Sequence, residues 1–409
     1  MHAILDSRYS WTRLVLTLII ATVGNVGMWS IIALMPAVQA EFGGGRGEAS
    51  LPYTLTMAGF ALGNLVWGGA LDGYGVSGEL AGAAVMSGIG YALAAISPSI
   101  LTLSGAQFLI GLGTAVFFGP LLADISLWFR RRRGIAVAIA ASGNYLAGAI
   151  WPLALSGVLE AQGWRAVCWV LAVMVPLLVV PGAQVLRRRV PAESLTAEAQ
   201  ATGLSPRRVP WSPRAMMWLL ALAGIGCCVA MSMPQVHLVA FCVDLGYGPA
   251  VGASMLSVML MGGVASRLIS GFVTDKLGGI PTLLIGSVGQ MIGLILYLPF
   301  DGMVSLYVVS LIFGLSQGGI VPAYAIIVRE TMPAREAGAR VGFVIMATIV
   351  GMALGGWMSG WIYDVSGSYT LAFVNGIAFN LLNIAVMVVI LLKTRPLDPS
   401  RQVANLRAA

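Results

Sequence analysis

The chain has 409 residues, of which 58% are hydrophobic and only 10% are charged, and its mean hydropathy is +0.89. A water-soluble globular protein cannot cover its surface with so few charged side chains, so the composition predicts a protein with many membrane spans. The net charge of +7 would suggest nucleic-acid binding in a soluble protein. Here the basic residues lie in short loops between apolar runs, which is a topology signal. We therefore expect contact with the lipid bilayer and no nucleic-acid partner.

Apolar runs of about 20 residues, the length that crosses a bilayer, recur along the chain and predict twelve helices. The first six cover 12–38, 50–72, 79–97, 100–128, 134–160 and 164–187. The second six cover 214–243, 249–274, 280–299, 302–329, 337–364 and 369–392. This pattern predicts an all-α membrane protein with two six-helix bundles, 1–187 and 214–395. A polar linker, 188–213, joins them, and 396–409 is a polar tail.

The placement of the basic residues predicts the orientation in the membrane. If the amino terminus is cytoplasmic, every Lys and Arg lies on the cytoplasmic side except Arg46 and Arg165, which lie outside, and Arg267, which lies within a span. This asymmetry places both termini and the linker in the cytoplasm. The first ten residues are too short and too polar for a cleaved signal peptide, so the first helix is expected to stay as its own insertion signal in the cell membrane.

The two halves of the chain repeat each other at an offset of about 203 residues. The matching positions include Gly68 with Gly271, Asp72 with Asp275, Gly111 with Gly314, and Ser156 with Ser359. Several matches at one offset indicate duplication, and parallel repeats predict a central cavity at their interface. The repeated G-x-x-x-D-x-x-G turns are expected to form a clasp between helices whose rearrangement opens the cytoplasmic gate.

Twelve predicted helices, two halves and two such turns together resemble the major facilitator superfamily over essentially the whole chain. A second motif, WFRRRRGIAVAIAASGNYLAGAIWP at 128–152, looks like the monocarboxylate transporter and oxalate/formate antiporter branch of that superfamily. We interpret Arg130 to Arg133 as a cytoplasmic anchor and the small residues after them as a packing stripe. The resemblance implies secondary transport by alternating access.

Arg267 is the basic residue that the sequence places well inside a span. Arginine at the centre of a span costs about 2.5–3.5 kcal/mol on insertion scales, so Arg267 is a functional-site hypothesis, with a side chain that snorkels to the interface as the alternative. Its R-x-x-x-G-x-x-x-D-K context resembles the helix-eight segment in which monocarboxylate transporters carry an essential arginine. A guanidinium can bind a carboxylate through two parallel hydrogen bonds.

Two departures from that family concern charge. Animal members have an acidic residue four positions before the arginine, where this chain has Gly263, and a lysine in helix one, where this chain has no charge between Leu14 and Pro36. Dicarboxylate antiporters also use a second cation in helix eleven, and the span between Val341 and Trp361 offers none. One buried cation favours a substrate with one carboxylate and disfavours oxalate. The usual acidic proton partner is missing.

Other side chains within the spans are candidates for the substrate site, although each is equally well explained by helix packing or interhelical hydrogen bonds. The polar candidates are His237, Asn25, Asn144, Tyr145, Gln317 and Tyr324. His237 is also the candidate proton carrier, because imidazole titrates near neutral pH. The apolar candidates for a wall that limits substrate length are Met28, Phe117 and Phe118.

These features predict a secondary transporter of small monocarboxylates such as lactate or pyruvate, with proton coupling implied by the family. The alternatives are an anion exchanger, an efflux transporter of amphipathic or aromatic organic anions and, more distantly, a non-transporting membrane sensor. The sequence has no phosphate-binding nucleotide loop and no zinc-protease motif. We therefore expect no enzyme activity, no cofactor and no metal, and we expect a monomer.

Overall fold

The computed structural model describes residues 5–129, 132–188, 207–332 and 334–396, without the side chains of 68–74, 207–208, 334–338 and 395–396. We call residues 5–188 the first half and residues 207–396 the second half. The helices of the first half are α1 (Arg8–Gly24), α2 (Val26–Phe42), α3 (Arg46–Ala49), α4 (Leu51–Ala95), α5 (Ile100–Thr114), α6 (Gly119–Ser126) and α7 (Arg133–Val185). A 3-10 turn, Ala115–Phe117, separates α5 from α6.

The second half has the helices α8 (Pro213–Asp244), α9 (Pro249–Leu277), α10 (Gly279–Leu296), α11 (Met303–Gln317), α12 (Ile320–Thr331), α13 (Ala334–Ser366) and α14 (Thr370–Lys393). Two short strands, β1 (Arg207–Arg208) and β2 (Arg395–Pro396), pair antiparallel. The remainder of the predicted linker and tail lies almost entirely outside the described residues. The pairing still shows that the chain on either side of the second half meets at one end of the molecule.

Ten helical segments of the described chain are long and apolar enough to cross a membrane. One of them is the 53-residue α7, which leaves the helical conformation at Gly163 and is too long for one crossing. Helix α4 has the same kind of break at Gly75, and the part before Gly75 corresponds to the second predicted span, 50–72. The fold is therefore an all-α membrane fold, and its helices are consistent with the twelve predicted spans.

Left-handed glycines support the predicted duplication. Gly43 and Gly246 are 203 residues apart, as are Gly75 and Gly278, and all four have φ between 70° and 83°. L-residues with a Cβ rarely adopt this conformation, so glycine is required where the chain turns from one span to the next. The helix breaks recur as well, because α5 ends at Thr114 and α11 ends at Gln317, again 203 residues apart.

Those breaks correct the prediction of continuous helices for the fourth and tenth spans. In the tenth span, Gly318 and Gly319 separate α11 from α12, and Pro322 follows in the first turn of α12. Proline has no backbone N–H, so the carbonyl of Gly318, four residues earlier, loses its helical donor. The carbonyl of Gly318 is therefore free to accept a hydrogen bond from a side chain.

The loops cluster at two ends of the helix bundle. At one end, which we call the Arg46 end, the Arg165 side chain donates to the Ser97 carbonyl at 2.8 Å and the Tyr247 hydroxyl donates to the Asp301 carbonyl at 3.0 Å. The opposite end, which we call the terminal end, holds β1, β2 and the start of α1.

A buried ion pair joins α1 to α6 in the first half, near the terminal end. Arg13 on α1 is 1% exposed, and its Nη2 and Nε lie 2.7 and 3.0 Å from one carboxylate oxygen of Asp124 on α6. The guanidinium carbon lies 4.5 Å from the centroid of the Trp128 ring. The sequence singled out Arg267 as the basic residue inside a span, and the structure adds a second buried arginine, Arg13, which has its own counter-charge.

Asp124→Asn is expected to lower the free energy of unfolding by about 2 kcal/mol, because charge-assisted bonds become ordinary ones and Arg13 loses its buried counter-charge. Thermal unfolding of the detergent-purified protein measures the change. Asp301→Asn is the matched control, since Asp301 is exposed and its side chain pairs with no cation among the described residues. Equal melting temperatures for the two variants would show that the ion pair does not stabilise the fold.

Candidate functional site

Arg267 lies on α9, in the middle of the molecule, where the two halves meet. Its side chain is buried at 7% exposure. Nη1 donates to the Ala141 carbonyl on α7 at 2.7 Å, and Nε donates to the Gly318 carbonyl at 3.2 Å. The first of these bonds reaches the first half and the second stays within the second half. Arg267 is therefore a bridge between the halves and not a side chain that reaches the membrane surface.

No carboxylate forms an ion pair with Arg267 within the described part of the chain. Its partners are neutral carbonyls and the ring of Tyr145, whose centroid lies 4.4 Å from the guanidinium carbon. Such a contact between a cation and an aromatic face contributes on the order of 1–2 kcal/mol when water is excluded. The cation is thus held in place without being neutralised.

Small residues allow the two halves to approach each other around this cation. A Cβ on Gly263 would lie 3.2 Å from the Tyr145 ring, and a Cβ on Gly148 would lie 2.5 Å from the Trp29 ring. The hydroxyl of Ser257 on α9 donates to the Ala149 carbonyl on α7 at 2.5 Å. Gly263, which stands where animal relatives have an acidic residue, therefore gives room to Tyr145.

Three further predicted site residues join this group from the first half. The indole nitrogen of Trp29 donates to Asn144 Oδ1 at 2.9 Å, and Asn144 Nδ2 lies 3.4 Å from the sulfur of Met28. The Trp29 and Tyr145 rings are 6.5 Å apart. The structure therefore brings Met28, Asn144 and Tyr145 together beside Arg267, as parts of one wall.

Asn25, Phe117 and Phe118 lie at the helix breaks of the first half. Asn25 Nδ2 donates to the Ala21 and Phe117 carbonyls, at 2.8 and 3.0 Å. The Phe118 ring packs against Phe60 with centroids 6.3 Å apart. Asn25 thereby ties the break in the first span to the break in the fourth span, and its amide nitrogen is occupied by backbone carbonyls.

Tyr324 and Gln317 are both fully buried in the second half. The Tyr324 hydroxyl donates to Asn383 Oδ1 at 2.9 Å, and Asn383 Nδ2 donates to the Ser287 hydroxyl at 2.8 Å. Tyr324 thus belongs to a polar network that holds α10, α12 and α14 together. Gln317 has a different partner, because its Oε1 accepts from Gln235 Nε2 on α8 at 2.8 Å.

His237 is placed toward the Arg46 end, with both ring nitrogens occupied. Nε2 lies 2.8 Å from the Gly356 carbonyl and Nδ1 lies 3.0 Å from the Tyr369 hydroxyl. A carbonyl can only accept, so Nε2 carries the proton and Nδ1 accepts from Tyr369. Burial raises the pKa of the Tyr369 hydroxyl, against the opposing effect of the nearby Arg46, so this hydroxyl is protonated and able to donate. Neither ring nitrogen of His237 bonds to Arg267.

A group of four side chains, which we call the Arg46 latch, closes the Arg46 end. It consists of Arg46 from the first half and Asp244, Asp364 and Tyr369 from the second half. Arg46 Nη1 donates to the Tyr369 hydroxyl at 2.6 Å, and its Nη2 forms an ion pair with Asp244. Asp364 accepts from the backbone nitrogens of Arg46 and Gly47, at 2.6 and 2.8 Å.

Electrostatics keep the latch arginine charged. Burial lowers the pKa of Arg46, but its interactions with Tyr369 and Asp244 outweigh burial, and the net shift is upward. A raised arginine pKa means that the cation, and the stability it contributes, is present at all physiological pH values and is lost only in strong alkali. Sequence patterns do not reveal this group, because its members come from three separate loops.

The predicted gating residues lie at the terminal end. Gly68 and Asp72 fall among the residues whose side chains are not described. Asp275 is exposed, and a Cβ on Gly271 would meet no atom within 4 Å. The clasp between helices stays a prediction. Arg133 starts α7, and its Nε donates to the Phe129 carbonyl at 3.2 Å, while Arg130 and Arg131 lie outside the described residues.

A groove of about 280 Å³ lies between α9, α10 and α11. Its rim includes Ile269 and Ile285, which are 57% and 58% exposed on the apolar outer surface. Arg267 and Tyr145 do not line it. We therefore treat the groove as part of the lipid-facing surface and not as the substrate site.

Comparisons with known proteins agree with this architecture. The sequence profile of the Major Facilitator Superfamily matches residues 17–339 and 282–407. Monocarboxylate transporter 13 of Bos taurus is 29% identical over 74% of this chain and 71% of its own length. The agnestins efflux protein AgnL12 of Paecilomyces divaricatus is 24% identical over 68% of this chain and 63% of its own length.

A crystal structure shares the fold as well. It is that of a bacterial homologue of the human lysosomal transporter Spinster, in an inward-facing and occupied conformation, with a TM-score of 0.71 and 13% identity over 95% of this chain and 97% of that one. The resemblance inferred from the motifs is confirmed, and relatives of this kind are transporters and not enzymes. With a family profile that covers nearly all of its length, the chain belongs to the Major Facilitator Superfamily of membrane transporters.

Proposed function

We propose that this transporter carries small monocarboxylates of the lactate or pyruvate kind, and that Arg267 binds their carboxylate. The observation that carries the proposal is a buried guanidinium that no carboxylate of the described chain neutralises, at the meeting point of the two halves. A buried charge without a counter-charge is costly, so a site of this kind favours an anionic ligand. The similarity to monocarboxylate transporter 13 supports the same substrate class.

Alternating access follows from where the bonds of Arg267 lie. Nη1 is bonded to α7 of the first half. A carboxylate that approaches the guanidinium offers stronger, charge-assisted acceptors than the Ala141 carbonyl and would replace it. The replacement removes one bond between the halves, so substrate binding favours their relative movement. We propose that the Arg46 end faces the outside of the cell membrane and that both termini are cytoplasmic.

Two carriers are available for a coupled proton. The first is His237, whose Nδ1 accepts from Tyr369. A proton on Nδ1 would turn this nitrogen into a donor, so Tyr369 would have to redirect its hydroxyl, and the bond from Arg46 to Tyr369 would be disturbed. The second is the carboxylate of the substrate itself. The first route links proton uptake directly to the Arg46 latch.

The proposal is tested by uptake of radiolabelled L-lactate into proteoliposomes under an inward proton gradient, with external pH recorded in parallel. We expect gradient-dependent uptake and a substrate-driven rise in external pH. Exchange of lactate without proton flux would contradict proton coupling and leave an anion exchanger. Absence of uptake with folded protein would contradict the proposed substrate class.

A second candidate is the efflux of amphipathic or aromatic organic anions. It is favoured by the similarity to AgnL12 and by the aromatic wall of Trp29 and Tyr145 beside Arg267. Competition assays distinguish the two substrates. If aromatic carboxylates both inhibit lactate uptake and are themselves accumulated in vesicles, the second candidate is supported; inhibition without accumulation supports the first.

A further inference from the structure

Two buried glutamines meet inside the second half, and their hydrogen bonding is incomplete. Gln235 on α8 and Gln317 at the end of α11 are 1% and 0% exposed. One bond joins them, from Gln235 Nε2 to Gln317 Oε1 at 2.8 Å. Gln235 Oε1 and Gln317 Nε2 have no partner among the described residues. Buried polar atoms are nearly always bonded, so this pair offers one acceptor and one donor to something that is not part of the chain.

The presence of one available donor and one available acceptor does not depend on how the two amide groups are oriented. Oxygen and nitrogen of an amide can be exchanged by rotating the group through half a turn. A single bond between two amides always uses one donor and one acceptor, and rotating both groups reverses only the direction of that bond. One carbonyl oxygen and one amide nitrogen therefore stay available in either arrangement.

The position of the pair connects it to the carboxylate site. Gln317 is followed directly by Gly318, whose carbonyl accepts from Arg267 Nε at 3.2 Å. Both residues lie at the break between α11 and α12, where the backbone is released from regular helical bonding. Gln235 comes from α8 and reaches the same break. A small substrate held by Arg267 therefore lies beside Gly318, the residue that directly follows Gln317.

We propose that Gln235 and Gln317 bind the 2-hydroxyl group of a 2-hydroxy monocarboxylate whose carboxylate is held by Arg267. A hydroxyl both donates and accepts, so it can donate to Gln235 Oε1 and accept from Gln317 Nε2. A 2-oxo group only accepts, and an unsubstituted acid does neither. Sites built to bond a hydroxyl discriminate strongly against analogues that lack it, because their buried polar groups are then left unpaired. This inference rests on the proposed function.

The test compares uptake of radiolabelled L-lactate, pyruvate and propionate into proteoliposomes. In the wild type, we expect uptake to fall in that order. In the double variant Gln235→Met and Gln317→Met, which removes both amides and leaves neither partner unpaired, we expect the preference for lactate over propionate to fall about 30-fold, the loss expected for two hydrogen bonds. Propionate uptake, which depends on Arg267, is expected to persist.

Two further variants keep the test decisive. Gln290→Met is the matched control, since Gln290 is a buried glutamine of the same half whose nitrogen and oxygen are both bonded to Cys227. The control is expected to keep the lactate preference. Gln235→Asn withdraws the amide by one methylene and is measured in place of the double variant if the double variant does not fold. It is expected to reduce the preference for lactate over propionate.

The outcomes separate this inference from the function on which it rests. Uptake of all three acids with no preference for lactate in the wild type, or with an unchanged preference in the glutamine variants, overturns the role of the pair and leaves Arg267 transport intact. No uptake of any of the three acids by folded wild type overturns the proposed function and this inference together. A preference lost in the glutamine variants and kept in Gln290→Met supports it.

Discussion

Replacing Arg267 by alanine or by lysine is expected to reduce L-lactate uptake at least about 100-fold. Two charge-assisted bonds to a carboxylate contribute about 1.5–3 kcal/mol each, and their loss corresponds to two or more orders of magnitude in affinity. Lysine keeps the charge as a compact ammonium, but it cannot offer the planar fork that binds both carboxylate oxygens. Uptake per folded protein, measured in proteoliposomes, therefore falls in both variants.

Arg13→Lys is the matched control for a buried arginine. Arg13 has its own carboxylate, Asp124, and lies near the terminal end of the first half. Its substitution is expected to lower thermal stability and to leave the uptake per folded protein within a few-fold of the wild type. Undiminished uptake in Arg267→Ala would show that Arg267 only bridges the two halves, and the carboxylate site would have to be sought elsewhere.

Sequence reasoning found Arg267 because charge inside an apolar span is a strong signal. Its neighbours were harder to identify. Tyr145 and Asn144 are candidates in the sequence simply as polar residues in a span, and only the fold shows that they lie on the wall with Arg267 while Tyr324 belongs to a network among helices of the second half. A glycine-rich apolar helix has no polar face, so periodicity cannot tell which side meets the cavity.

Gln317 is a candidate site residue in the sequence and Arg46 is predicted to lie outside the membrane, but the sequence alone does not show which distant residues they contact. Gln317 is hydrogen-bonded to Gln235, which is 82 positions away, and Arg46 is paired with Asp244, which is 198 positions away. The helix breaks were missed for a different reason. A run of apolar residues predicts a span by its hydropathy, whereas Pro322 interrupts the helix by removing a single backbone donor.

The Arg46 latch connects the two halves at the Arg46 end. It joins the halves through one ion pair, one bond from Arg46 to Tyr369 and two backbone bonds to Asp364. The ion pair is partly exposed, because the side chain of Asp244 is 27% exposed. Its own contribution to holding the two halves together is therefore small. The bond to the Tyr369 hydroxyl is better shielded, and the Tyr363 ring lies 4.4 Å from the guanidinium carbon.

Arg46→Gln is therefore expected to raise the population that is open at the Arg46 end by about tenfold, which corresponds to about 1.4 kcal/mol for the lost charge-assisted bonds. Spin labels on Glu48→Cys and Ala250→Cys, both exposed and on opposite halves, report the opening as a longer distance in a background without the native cysteines.

The control for this experiment is Arg165→Gln, which breaks an ion pair at the same end but within one half. Arg165 pairs with Glu41 and donates to the Ser97 carbonyl, and all three residues belong to the first half. Its loss is expected to leave the distance distribution unchanged, because no bond between the halves is removed. If Arg46→Gln also leaves the distribution unchanged, the halves are held by the packing of α7 against α9, and the latch follows the movement of the halves without controlling it.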